Sequence, residues 1–290
     1  MTTLSKLGRA ALILAVGSVM FTNDLVAQER FDNVEVVAHH VAGSFYYLAG
    51  QGGNIGVSVD ENGIVMIDDQ FAPLTDKIIA AIRGISDAEI RFLINTHVHE
   101  DHTGGNENMG RMGVLILARD EVRVRLAAQS PNDALPVLTY SDAITIHLNG
   151  GDVYAAPLPP AHTDGDSYIH FRDDDVIHVG DVFRTVAFPV IDRNNGGTLD
   201  GTIDALGVLA GLGGPNTMYV PGHGEVSTRA DVMEFRDMVM TVKDRVAALI
   251  ANGASYDEVA AAGTTSEWEN RWGDPERFLT AVYAELGGED

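Results

Sequence analysis

From residue 33 the chain runs through short blocks in which apolar and polar positions alternate. Residues 33–41 and 44–48 read as half-buried strands, because successive side chains of a strand point to opposite faces. Gly50-Gln51-Gly52-Gly53 is a tight connection to two more strands, 54–59 and 64–68, joined by the hairpin signal Asp60-Glu61-Asn62-Gly63. Residues 74–85 carry apolar side chains at helical spacing, with Asp76 and Lys77 outward. A short buried strand follows at 90–94, another at 114–117, then a helix near 119–129 and a loop at Ser130-Pro131-Asn132-Asp133. Strands are expected at 143–148 and 153–157, and a hairpin at 167–171 and 176–179. A helix at 202–212 and a strand at 218–220 precede a helical tail over 228–251, 256–261 and 275–286. His39 and His40 fall in the first strand, one facing in and one out, and both read as structural. His170 and His178 lie inside strands and read as packing residues, as do Trp268 and Trp272 in the tail.

Composition narrows the field. The chain has 290 residues, 45% hydrophobic, enough for a sizeable core. With no cysteine, disulfides, thiolate-held iron–sulfur clusters and a cysteine nucleophile are excluded. The net charge of -23 opposes binding to nucleic acid or an anionic membrane. Lys6 and Arg9 precede an apolar run over 10–21 that is short for a membrane span. We therefore expect a signal peptide at 1–27, cleaved after Ala27, and a single periplasmic domain over 28–290.

Chemistry concentrates after the strand at 90–94, in Thr96-His97-Val98-His99-Glu100-Asp101-His102-Thr103-Gly104-Gly105-Asn106. His97 and His99, two apart in an extended segment, can reach one ion, and Asp101 and His102 can reach a second beside it. Imidazole and carboxylate suit zinc, and also iron or manganese. The Gly-Gly pair reads as a turn. Three later positions complete the picture. His162, in a loop closing a strand, supplies a third ligand to the first ion. Asp181 follows a strand directly, and its two oxygens can bridge two ions. His223 sits between glycines, which let backbone and imidazole approach a crowded centre. Asp68 ends the fourth strand, beside Asp69, and either orients a metal-binding histidine or is a turn residue. Asp164 and Asp166 could reach a metal, but turn and cap roles are expected. The amides of Asn194 and Asn195 either contact a substrate oxygen or form a turn.

His97, His99, Asp101 and His102 as HxHxDH, then His162, Gly180-Asp181 and Gly222-His223, resemble the metallo-β-lactamase superfamily over essentially the whole mature chain. The resemblance implies an α/β fold (α+β) of the αββα type, with two mixed sheets and the metals at one sheet edge. It implies His97, His99 and His162 on one zinc, Asp101, His102 and His223 on a second, and Asp181 bridging. It further implies a metal-bound hydroxide attacking a strained or activated amide or ester, with Asp101 orienting the nucleophile and passing on its proton. A bridging Asp is the form that resembles glyoxalase II, lactonases and general hydrolases rather than the true zinc β-lactamases.

A di-zinc hydrolase of a small lactam or lactone is thus the leading expectation. The alternatives are a glyoxalase II-like thioesterase, an iron-dependent redox enzyme and a non-catalytic zinc-binding periplasmic partner. Lys243, Arg245 and Arg271 are too scattered to form a basic glutathione site.

Overall fold

The computed structural model describes residues 30–148 and 151–287, and the elements below belong to the unit that begins at Val36. The signal-peptide expectation lies outside the described residues. Strands β1 (Val37–Ala42), β2 (Phe45–Ala49), β3 (Ile55–Asp60) and β4 (Gly63–Ile67) form an antiparallel meander. Helix α1 (Thr75–Arg83) crosses over, and β5 (Ile90–Ile94) pairs in parallel with β4. Two short helices follow, α2 (Glu100–Thr103) and α3 (Asn106–Arg111). Strand β6 (Leu115–Arg119), helix α4 (Asp120–Leu126) and strand β7 (Leu138–Tyr140) complete a mixed seven-stranded sheet in the order β1 to β7.

The second sheet has the order β12-β11-β10-β9-β8. Strands β8 (Ile144–Leu148), β9 (Gly151–Pro157), β10 (Ser167–Phe171) and β11 (Val176–His178) are antiparallel neighbours. Helix α5 (Leu199–Leu212) leads to β12 (Met218–Val220), which is parallel to β11. The tail is helical: α6 (Arg229–Ala251), α7 (Tyr256–Ala261), α8 (Glu269–Trp272) and α9 (Glu276–Glu285). No helix among the described residues is long and apolar enough to cross a membrane.

Pleating decides what each strand buries. Val65 and Ile67 of β4 pack with Ile94 and Leu117 and, across the gap, with Val153, Ala155, Ile169 and Val220 of the second sheet. The intervening Ile64 and Met66 are equally buried but face the other way, to the side where α1 buries Ile78 and Ile82. Tyr168, Ile177 and Tyr219 turn from the second sheet toward Leu206 and Leu209 of α5 and Phe235 and Val239 of α6. Trp272 joins the same cluster, its ring 5.2 Å from that of Phe235. The layers are therefore helix, sheet, sheet, helix, the αββα arrangement expected.

Several local expectations change. His39 and His40 are both exposed, because β1 is an edge strand and a register shift between His40 and Ala42 breaks its alternation. His39 stacks on Tyr47 and His40 meets Tyr46 edge-on instead. Strand β7 carried too few residues to register as a pattern. The expected Gly-Gly turn is present, but short helices α2 and α3, which were not expected, lie on either side of it. Gly104 and Gly105 are both right-handed helical, and their smallness serves close approach. A Cβ at Gly104 would lie 2.6 Å from the Glu100 carbonyl oxygen, and one at Gly105 2.9 Å from Asp69 Cγ.

Candidate metal centre

The site is assembled where β4, β5, β9, β11 and β12 end. Strand β4 runs directly into Asp68-Asp69-Gln70, in which Asp68 and Gln70 have left-handed backbone, φ 60° and 54°. Each of these three buried side chains holds a different neighbour. Asp68 Oδ1 accepts from the Thr96 amide at 2.8 Å, and Oδ2 accepts from the Thr96 hydroxyl and from His102 Nδ1, both at 2.7 Å. Asp69 Oδ1 accepts from the Gly105 amide at 3.0 Å, and burial pushes its carboxyl well above the usual range. Gln70 donates to the Gly53 carbonyl at 2.7 Å. The loop after β5 is also pinned from within, where Asn95 and Asn106 exchange side-chain amide hydrogen bonds of 3.0 Å.

Seven side chains from four segments converge there, His97, His99, Asp101 and His102 from the one after β5. The donor atoms of His97, His99 and His162 lie within 4.8 Å of one another, as do those of Asp101, His102 and His223. A third group, His97, His102 and Asp181, shares one member with each of the other two. Asp181 therefore lies between them. Its Oδ1 is 3.2 Å from His102 Nε2, and its Oδ2 is 3.3 Å from His223 Nε2 and 3.8 Å from His162 Nε2. Glycines make the crowding possible: a Cβ on Gly222 would fall 1.9 Å from Asp181 Oδ1, and one on Gly53 2.2 Å from His102 Cε1.

For four of the five rings the hydrogen bonds fix which nitrogen carries a proton. His162 Nδ1 donates to the Val190 carbonyl at 2.6 Å. His102 Nδ1 donates to Asp68, an acceptor. The Thr96 hydroxyl gives its proton to Asp68, so it accepts from His97 Nδ1 at 3.0 Å. His99 is the exception: its Nε2 donates to Asp192 Oδ2 at 2.7 Å. Burial would raise the pKa of Asp192, but the Asn195 and His99 hydrogen bonds bring it to about 2, so the carboxylate is an acceptor only.

Three Nε2 atoms and the Nδ1 of His99 are left facing inward. His97 Nε2, His102 Nε2 and Asp181 Oδ1 are buried without a hydrogen-bond partner. His99 Nδ1 and His162 Nε2 stand 2.8 Å apart. With the other nitrogen of each ring already donating, two lone pairs confront each other, and only a cation or an added proton reconciles them. Three or four such donors per group, nitrogen and oxygen with no sulfur, suit zinc, iron or manganese.

The charges are arranged accordingly. Burial holds His97 well below the usual imidazole range and brings His162 to about 4, so both are neutral and able to ligate. Burial alone would depress His102, but Asp181 and Asp68 lift it well above its ordinary value. His223 is raised in the same way against its burial, by hydrogen bonds with Asp101 and Asp181. Burial opposes ionisation of Asp181, yet His102 and His223 hold it well below the usual range. For Asp101, burial is outweighed by the His223 hydrogen bond and His102, and its pKa is about 2. His102 and His223 are thus drawn toward the charged form by the carboxylates of Asp68, Asp101 and Asp181, a surrounding that favours positive charge.

Other polar residues find different work. Asp166 accepts from the amides of His162 and Thr163 and from the Thr163 hydroxyl, a turn role. Asp164 points away to Arg125. The Asn195 amide is spent on Asp192 and Arg125 and is a brace instead of a substrate contact. Asn194 is exposed, and its backbone amide donates to Asp192. His178 is fully buried, its ring 3.1 Å from the Asn54 carbonyl. Thr96 and Asp192 went unrecognised in the sequence. Asp192 lies 93 residues from the histidine it holds, and no local pattern marks it.

Residues 48–227 match the metallo-beta-lactamase superfamily. No curated protein matches the chain. Among solved structures, the metallo-beta-lactamase from Pontibacter korlensis is similar at a TM-score of 0.61 and 16% identity, over 71% of this chain and 99% of that one. The DIM-1 metallo-beta-lactamase gives 0.63 and 15%, over 72% and 99%. The stereoselective inverting sec-alkylsulfatase Pisa1 from Pseudomonas sp. gives 0.73 and 15%, over 88% of this chain and 51% of that one. This chain thus spans about half the alkylsulfatase, and at these identities the likeness is one of fold. The match over residues 48–227, more than half of the sequence, shows that the chain belongs to the metallo-beta-lactamase superfamily.

Proposed function

We propose that this chain is a two-metal hydrolase, with zinc as the expected ion, that cleaves a strained or activated amide or ester bond of a small molecule such as a lactam or lactone. One observation carries the reading: two groups of ligand-type side chains share the buried carboxylate of Asp181, with unpartnered nitrogens and oxygen turned toward each other. Ions held there would polarise the scissile bond and make a water acidic enough to attack near neutral pH. The chain's own residues supply the rest. His97, His99 and His162 would hold one ion, Asp101, His102 and His223 the other, and Asp181 both. Asp101 is the more exposed of the two site carboxylates, 29% against 5%. It is therefore the one placed to orient the attacking water and accept its proton.

The test is turnover by zinc-loaded protein of a chromogenic cephalosporin, a lactone, a thioester and a secondary alkyl sulfate, the last chosen for the fold likeness above. We expect hydrolysis of at least one, abolished by a chelator and restored by zinc. Turnover that survives complete metal removal would refute the reading.

Asp181→Ala should retain about one zinc, on the three-histidine group, and lose on the order of 10²-fold or more in kcat. Elemental analysis showing two ions with near-normal turnover would contradict the shared role. Asp68→Asn keeps the shape but puts an amide N–H against donors already present, so zinc affinity should fall roughly 10–100-fold. Competition with a metal indicator measures this, and an unchanged affinity would reduce Asp68 to a turn residue.

We also read the chain as exported to the periplasm, on the strength of Lys6, Arg9 and the apolar run behind them. Mass spectrometry of the exported protein should find a start near Gln28; a retained N-terminus would mean an anchor.

A further inference from the structure

The contact from His99 to Asp192 continues to the outside of the molecule. Asn195 Nδ2 donates to the same Asp192 Oδ2, at 2.8 Å, and Asn195 Oδ1 accepts from Arg125 Nη1 at 3.1 Å. The remainder of the Arg125 fork grips Asp164, Nε to Oδ1 at 2.7 Å and Nη2 to Oδ2 at 2.5 Å. Three segments are joined in this way. Arg125 stands on α4, Asp164 follows His162 in its loop, and Asp192 and Asn195 belong to the loop before α5. The two loops are also packed backbone to backbone. The Asp164 amide donates to the Asn195 carbonyl at 2.9 Å and the Asp192 amide to the His162 carbonyl at 2.9 Å. Gly196, left-handed at φ 77°, leaves room for Asp164, whose Oδ2 would lie 2.7 Å from a Cβ there.

We propose that Arg125 is a positioning residue for the His97, His99 and His162 group. It fixes the direction of the Asn195 amide, and so keeps Asp192 on His99 Nε2 and the His99 Nδ1 lone pair turned inward. The inference rests on the metal-hydrolase reading above.

The physical reason lies in the amide. Its oxygen and nitrogen ends have nearly the same shape and opposite hydrogen-bonding character. A guanidinium can face only the oxygen, and a carboxylate only the nitrogen. Between Arg125 and Asp192, one orientation of Asn195 satisfies both. Without Arg125 only the Asp192 contact holds the Asn195 amide, which is then free to rotate away and leave Asp192 one donor short. Asp192 also accepts the backbone amides of Asn194 and Asn195 through Oδ1, so a rotated carboxylate would keep those bonds while releasing His99. Lysine at 125 could pair with Asp164 as a point charge, but it lacks the planar fork that holds Asp164 and Asn195 together.

The test uses the full mature chain, with zinc as the probe, and two readouts independent of turnover. The first is affinity for the first zinc equivalent, by competition with a chromogenic chelator. The second is the tautomer of His99 in the metal-free protein, from long-range ¹H–¹⁵N correlations assigned against His99→Gln. Arg125→Ala should bind the first zinc roughly 10-fold more weakly. Its His99 should lose the pure Nε2–H form while His97 and His102, held through Asp68, keep theirs. Arg125→Lys should recover only part of the loss. If Arg125→Ala does not fold, Asn195→Leu carries the same test, because it cuts the chain while leaving the Arg125–Asp164 pair in place. Wild-type zinc affinity and an unchanged His99 tautomer in the folded variant would overturn the proposal. A wild-type chain that binds no zinc would overturn the metal reading instead, and the tautomer alone would then decide the role of Arg125.

Discussion

The buried carboxylate of Asp68 gathers three donors from one loop: the Thr96 amide, the Thr96 hydroxyl and His102 Nδ1. The cost is local, since a non-glycine residue at φ 60° stores about 1–3 kcal/mol. Hydrogen bonds to a charged group contribute roughly 1.5–3 kcal/mol each, and three of them outweigh that strain. Asp is also among the residues that tolerate left-handed backbone best. What the arrangement secures is orientation. Because the Thr96 hydroxyl is drawn to Asp68, it must accept from His97, and one carboxylate thereby sets the tautomers of two histidines. Those two, with Asp181, form the group shared between the outer pair.

The fold serves this arrangement from both sides. Two sheets packed face to face bring strand ends from distant parts of the sequence to one edge, β4 and β5 from the first sheet and β9, β11 and β12 from the second. The core between them, from Val65 and Ile67 to Ile169 and Val220, holds those ends at a fixed separation. Glycine at 53 and 222 then lets loops close to distances no side chain would permit. His97, His99, His102 and His162, each braced by a hydrogen bond, would be preorganised for an ion.

Legibility in the sequence tracked distance along the chain. The HxHxDH segment and the strand-ending Gly180-Asp181 and Gly222-His223 were readable because strand, turn and donor are neighbours in sequence. Most strands and helices of the αββα fold were readable for the same reason, since hydrophobic period is a local property. The three residues of β7 were too few to show a period. His39 and His40 were misassigned because alternation cannot reveal that a strand lies at an edge and carries a bulge. Asp68 left two readings open, as its partners Thr96 and His102 come from another strand end. Asn195 left two readings open, substrate contact or turn, and only the fold reveals that Arg125, 70 residues earlier, and Asp192 consume both ends of its amide.

On the function proposed above, the side chains braced by Asp68 and Asp192 form two metal positions that share Asp181. Anomalous diffraction at the zinc edge, from crystals of the zinc-loaded chain, tests it most directly. Two maxima are expected, one among His97, His99 and His162 and the other among Asp101, His102 and His223, with Asp181 reaching both. A single maximum at saturating zinc, or two that Asp181 does not join, would contradict it.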